Sequence, residues 1–177
     1  MKLNKKGYML IEIVLSSVLA MSIALYLLNL TYQFKNKDED IYQSISYSSD
    51  KIAITKNIMN DLDNQIITKI EKKENNEVIL TSKSGTLEEK RKINITYPST
   101  NNSQNQQITI TYGKINNSNN FDTSDVSYYR KELQKSLLFK GIEINNSNMN
   151  TATIKIKLES MYSKDDYNIK LLVKKSN

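Results

Sequence analysis

The chain has 177 residues, enough for one modest domain beside any membrane segment. It contains neither cysteine nor histidine, which excludes disulfides, thiol catalysis and Cys-ligated metals, and removes the commonest general base and transition-metal ligand. Of the formal charge of +6, three units come from Lys2, Lys5 and Lys6; the rest lies in mixed stretches such as KIEKKENNE and EEKRK, where acids adjoin bases. That pattern is explained by a solvated mixed-charge surface, and DNA is a partner that it leaves unsupported.

The first predicted element follows those lysines. Residues 13–34 carry no charged side chain, and about twenty apolar residues in helix cross a hydrocarbon core of about 30 Å. Lysines before the run and their absence within it predict a single pass with the N-terminus in the cytoplasm and the polar remainder exported. Glu12 is the anomaly. A carboxylate in such a segment costs roughly 2–3 kcal/mol or more on insertion scales. A plain membrane anchor leaves it unexplained. So does a secretory signal peptide cut at the small-x-small site SIA (22–24), which would set the charge in the apolar region of the signal.

The stretch KKGYMLIE, residues 5–12, resembles the class III signal peptide of type IV pilins and type II secretion pseudopilins. The resemblance is specific over residues 5–30 and weak beyond. It implies a leader, 1–7, that a prepilin peptidase removes after Gly7, and a mature chain whose first residue, Tyr8, is N-methylated. It also places Glu12 at the fifth mature position, where the family carries a glutamate that docks on the terminal amine of a neighbouring subunit. The physics agrees with that mapping, because the new amine would lie about 6 Å of helix rise from Glu12 and an unpaired charge in hydrocarbon is expensive. Tyr8 and Met9 depart from the commoner residues, and Asn29 stands where major pilins often have a helix-breaking proline.

No proline or glycine interrupts residues 8–84. Positions 41, 45, 48, 52, 55, 59, 62 and 66 form a row at helical spacing, with Ile41, Ile45, Ile52, Met59, Leu62 and Ile66 apolar. We therefore expect one helix from the membrane segment (8–34) through an amphipathic continuation (35–70), ending near Ile66 to Ile70, with that row packed on a sheet.

Beyond residue 70 the period changes to two. EVILTS (77–82), KINITY with Ile93, Ile95 and Tyr97, QITITYG with Ile108, Ile110 and Tyr112, TIKIKLE with Ile154, Ile156 and Leu158, and DYNIKLLVKK with Ile169, Leu171 and Val173 predict antiparallel strands with one face on a core. A further strand is expected over residues 128–133, followed by a short helix or second strand. A turn is expected around Gly85, and the polar stretches PSTNNSQNQQ and KINNSNNFDTSD are expected to be surface loops. The fold class is thus α+β, a long N-terminal helix on an antiparallel β-rich head (71–177). The order of elements resembles the J- or W-type minor pilins.

Catalytic motifs are absent from the pattern, and neither an enzyme nor a cofactor is expected. Asp61 and Asp63 sit near the helix end and point to different faces. Asn119, Asn120, Asp122 and Asp125 make an oxygen-rich loop without the fixed spacing of a calcium motif, so a solvated acidic loop is the better reading. The resemblance implies a minor pilin or pseudopilin in the plasma membrane and then in an extracellular or periplasmic filament, with prepilin peptidase and other pilin subunits as partners. Its rivals are a major pilin, a competence pseudopilin that handles DNA, and a plain membrane-anchored surface protein.

Overall fold

The computed structural model describes residues 5–84, 87–97, 107–133, 137–148, 150–160 and 166–176. The expected turn around Gly85 and nearly all of the PSTNNSQNQQ loop lie outside them. Among the described residues one helix, α1 (Lys5–Leu62), precedes eight strands: β1 (Ile67–Glu74), β2 (Glu77–Ser84), β3 (Leu87–Thr96), β4 (Thr109–Lys114), β5 (Tyr129–Glu132), β6 (Leu137–Asn148), β7 (Thr151–Ser160) and β8 (Asp166–Lys174). The architecture is α+β. Two units divide the chain, Met1–Ser46 and Tyr47–Asn177.

The first unit is helical throughout its described length, and a window of the helix reaches a mean hydropathy of 2.2, apolar enough to cross a membrane. Its apolar side chains, Leu10, Val14, Leu19 and Leu25 among them, are exposed, as lipid- or partner-facing side chains are. The few hydroxyls do not spoil this surface. Ser16, Ser22 and Thr31 each donate to the carbonyl four residues back, at 2.6, 2.8 and 2.8 Å. A hydroxyl satisfied by its own helix needs no water.

In the second unit β1 to β5 form a five-stranded antiparallel meander in sequence order, and β6 to β8 form a three-stranded one. The sheets meet where Ile67 pairs with Lys175 and Ser176 N donates to Ile67 O at 2.9 Å. A second junction is Ile142 N to Asn75 O at 3.1 Å. One core cluster joins Ile54, Ile58 and Leu62 of α1 to Ile93, Ile110 and Tyr112 of the larger sheet and Ile154, Ile156 and Leu171 of the smaller. Burying each aliphatic side chain contributes roughly 1.5–3 kcal/mol. The period-two strands thus bury the faces expected of them, with one exception: Tyr97 is 44% exposed and packs against Phe139 with the rings tilted, centroids 5.0 Å apart. Of the short helix or second strand expected after residue 133, the described residues 137–148 form a strand, β6. Gly141 lies at an irregularity in the β6–β7 register and has φ of 125°, a conformation costly for any residue with a Cβ.

Two expectations for α1 are corrected. The helix ends at Leu62, short of residues 66–70, because Asp63 and Asn64 turn the chain and the β-branched run Ile66–Ile67–Thr68 suits a strand. Asn64 N to Asp61 O (3.3 Å) and Gln65 N to Leu62 O (3.0 Å) tighten that exit. The head's sheet therefore begins at Ile67 and not at 71. The buried face is also different. Tyr47, Ile54, Ile58 and Leu62 are at most 5% exposed, whereas Ile41, Ile45, Ile52 and Ile66 are 57–66% exposed. Of the expected row, Leu62 is buried and Met59 packs against the core in part. The sequence carries two apolar rows at helical spacing, and only the sheet's position selects between them.

Candidate functional site

Three groups of residues carry the charge and polarity that a function would use. The first lies at the start of α1. Gly7 and Tyr8 are both helical, Tyr8 is exposed, and Glu12 follows one turn later, also exposed. Among the described residues no side chain is paired with the Glu12 carboxylate. Its backbone carbonyl accepts the Ser16 hydroxyl. The structure thus presents a carboxylate on the outside of an apolar helix, one turn from Tyr8.

The second group clasps the end of α1 to the larger sheet. Arg91, on β3, is 5% exposed. Its Nε donates to Asp61 Oδ2 at 2.6 Å and its Nη2 to Oδ1 at 3.3 Å, a two-point contact with the last turn of α1. Its Nη1 reaches Glu89 Oε2 at 3.1 Å and Ser82 Oγ at 3.3 Å. Tyr112, fully buried on β4, donates its hydroxyl to Asp61 Oδ2. Lys114 Nζ approaches Glu89 Oε1 at 3.0 Å. Every carboxylate here faces a cation. Burial opposes the Arg91 charge, yet Asp61, Tyr112 and Glu89 together outweigh that and raise its pKa. Hydrogen bonds from Lys114 and then Arg91 hold the Glu89 carboxyl below the usual range. Burial first, then the bond to Asp61, pushes the Tyr112 hydroxyl far up. Nothing in EEKRK distinguishes Arg91 from its neighbours, and Asp61 looked like one of two unrelated acids. The alternation that buries Ile93 and Ile95 also carries Arg91 to the inner face, which was the one available signal.

The third group is the loop between β4 and β5. Asn116 Oδ1 accepts the backbone N–H groups of Ser118 and Asn120, both at 3.0 Å. Asn119 adopts φ of 62°, and its carbonyl accepts Lys92 Nζ at 2.7 Å. That ammonium, nearly buried, also lies 4.6 Å above the Phe121 ring. Asp122 accepts from Ser124 N and Oγ, and Asp125 from Ser127 N and Oγ, at 2.6–3.1 Å. Both carboxyls are held below the ordinary range by these serine hydroxyls. Asp122 and Asp125 thus fold the loop on itself, and a lysine stands against the Asn119 carbonyl. Among the described residues no cluster of three metal-ligating side chains occurs. Clefts of about 430 and 390 Å³ adjoin this loop, the first lined by Glu88, Lys90 and Asn119, the second by Asn57, Asp61 and Tyr128.

These features define an α+β protein with, among the described residues, one candidate membrane-spanning helix near the N-terminus, followed in sequence by antiparallel sheets. No family model, curated protein or solved structure matches the chain.

Proposed function

We propose that the chain is a minor subunit of a type IV pilus-like filament, a structural and non-catalytic protein that primes assembly or caps a tip. A prepilin peptidase removes residues 1–7 after Gly7, Tyr8 becomes the methylated N-terminus, and the helix waits in the plasma membrane until it joins other pilin subunits. The observation that carries this reading is Glu12: one exposed carboxylate on an apolar helix, five residues beyond a glycine that follows two lysines. A charge there is unfavourable in lipid unless a cation meets it. The freed amine of a neighbouring subunit is such a cation. The helix joined to antiparallel sheets is consistent with a pilin-like plan.

Intact-mass analysis of the chain recovered from its native membrane tests the reading. The expected product begins at Tyr8 and carries one added methyl group. A chain still beginning at Met1, or trimmed after Ala24, overturns it.

A further inference from the structure

The two sheets have four edges, and among the described residues three of them are engaged. β1 and β8 meet where Ile67 pairs with Lys175. β6 is met at Ile142, whose N–H donates to Asn75 O at 3.1 Å and whose carbonyl accepts Lys72 Nζ at 2.8 Å. The registers of β1 and β6 are also broken by irregularities, which hinder the addition of a foreign strand. β5 has neither protection. It ends the five-stranded order, pairs with β4 in unbroken register and contains no proline.

Leu133 N donates to Ile108 O at 2.8 Å, which fixes the phase of the β4–β5 ladder. Residues 129, 131 and 133 turn their backbone groups toward β4, so Arg130 and Glu132 turn theirs outward. Among the described residues nothing bonds the N–H and C=O groups of Arg130 and Glu132 on that open side. The side chains alternate too. Arg130 and Glu132 share the outer face, 58% and 54% exposed, and form an ion pair with each other at 3.3 Å. Lys131 takes the opposite face, where Asp50 of α1 holds its ammonium at 2.8 Å.

We propose that the β5 edge pairs with the β5 edge of a second copy of this chain, antiparallel, about a two-fold axis through Lys131. In that register Arg130 of each copy lies opposite the partner's Glu132. Both positions have outward backbone groups, so the pairing forms the ladder bonds that each edge leaves open. Opposite charges then face each other across the strands, which stabilises the pair. A slip that sets Arg130 or Glu132 opposite its own copy brings like charges together and is disfavoured. Lys131 meets its copy on the axis, with its charge already answered by Asp50. The axis stands perpendicular to the sheet, so residues 47–62 of the two α1 helices run in opposite directions. The contact is closed and propagates no fibre, and it stands apart from the filament reading.

The chain has no cysteine, so a single engineered thiol can report this contact. Directly opposed residues at a position without ladder bonds lie about 4.5 Å apart at Cα, within the span of a disulfide. Full-length Lys131→Cys, oxidised in detergent micelles where copies meet in any orientation, is expected to run largely as a dimer. Lys170→Cys, exposed on β8, is expected to cross-link at least about fivefold less. Two charge reversals are then added to Lys131→Cys. Arg130→Glu sets carboxylate against carboxylate and Glu132→Arg sets guanidinium against guanidinium, and each should cut the dimer about fivefold. Mixing those two chains, or making both changes in one chain, restores opposite charges and should return the dimer to within about twofold of Lys131→Cys. A monomeric Lys131→Cys chain, equal cross-linking at 131 and 170, reversals without effect, or a mixture that fails to recover overturns the proposal. None of these outcomes bears on cleavage after Gly7 or on Glu12.

Discussion

Arg91 donates to Asp61 at 2.6 Å across thirty residues of sequence, with only 6% and 19% of the two side chains exposed. This contact ties the last turn of α1 to β3, and Tyr112 closes on the same carboxylate from β4. Removing one partner of a buried pair costs about 3–5 kcal/mol when the other charge is left alone, and here Glu89 still meets Arg91, which sets the loss at the lower end. Asp61→Asn is therefore expected to destabilise the second unit by about 3 kcal/mol in urea unfolding. Adding Arg91→Met to that variant should recover part of the loss, because no buried cation deprived of its Asp61 partner then remains. A double variant worse than the sum of the two single ones would refute this account.

The pairing of Glu89 predicts an acid limb. Its folded pKa lies below its ordinary 4.5, owing to Lys114 and Arg91. The stability it contributes is present above about pH 4.5 and is lost as pH falls through the folded value. Tyr112 acts at the other end. Its pKa is raised above 10.0 by burial and then by Asp61, so stability present below pH 10.0 is lost as pH rises from there. Urea midpoints measured from pH 3 to 11 should fall at both ends, and Glu89→Gln should make the acid limb shallower while leaving the alkaline limb unchanged, the remaining acid dependence coming from carboxyls such as Asp122 and Asp125.

Tyr47 contributes a ring to the core, 4.2 Å between centroids from Tyr167. Its buried hydroxyl is the one buried side-chain polar atom without a hydrogen-bond partner among the described residues. An unsatisfied buried donor costs about 1–3 kcal/mol. Tyr47→Phe keeps the ring and removes the liability, and should raise stability by about 1 kcal/mol in the same unfolding assay.

Glu12→Val, on the proposed function, separates insertion from assembly. Removing a carboxylate favours the apolar helix in lipid by roughly 2–3 kcal/mol, so membrane fractions should hold as much variant as parent. Sheared filaments should hold almost none. Normal incorporation of the variant would count against the docking role.

The strands were the most legible part of the fold. Ile154, Ile156 and Leu158 are buried as alternation requires, and so are Ile169, Leu171 and Val173. The membrane-length segment was equally plain, because length and the absence of charge over residues 13–34 are properties of the chain itself. The helix face was not. Ile41, Ile45 and Ile52 match helical spacing, yet they remain exposed while Tyr47, Ile54 and Ile58 are buried. Periodicity reports that a helix has an apolar row; it does not report where a sheet will dock. The Asp61–Arg91–Tyr112 clasp was illegible for a related reason, since its members come from three elements and look like solvated residues within each.

What the amino-acid order determined by itself is local: where charge is absent long enough to cross a bilayer, where the period changes from helix to strand, and that Glu12 stands beyond a glycine. Such features depend on near neighbours along the chain, whose geometry the backbone dictates. The tertiary structure alone decided which row of α1 is buried, that Arg91 meets Asp61, and that β5 ends its sheet. Those outcomes depend on strand register and docking, which join residues far apart in sequence through the burial of a common core.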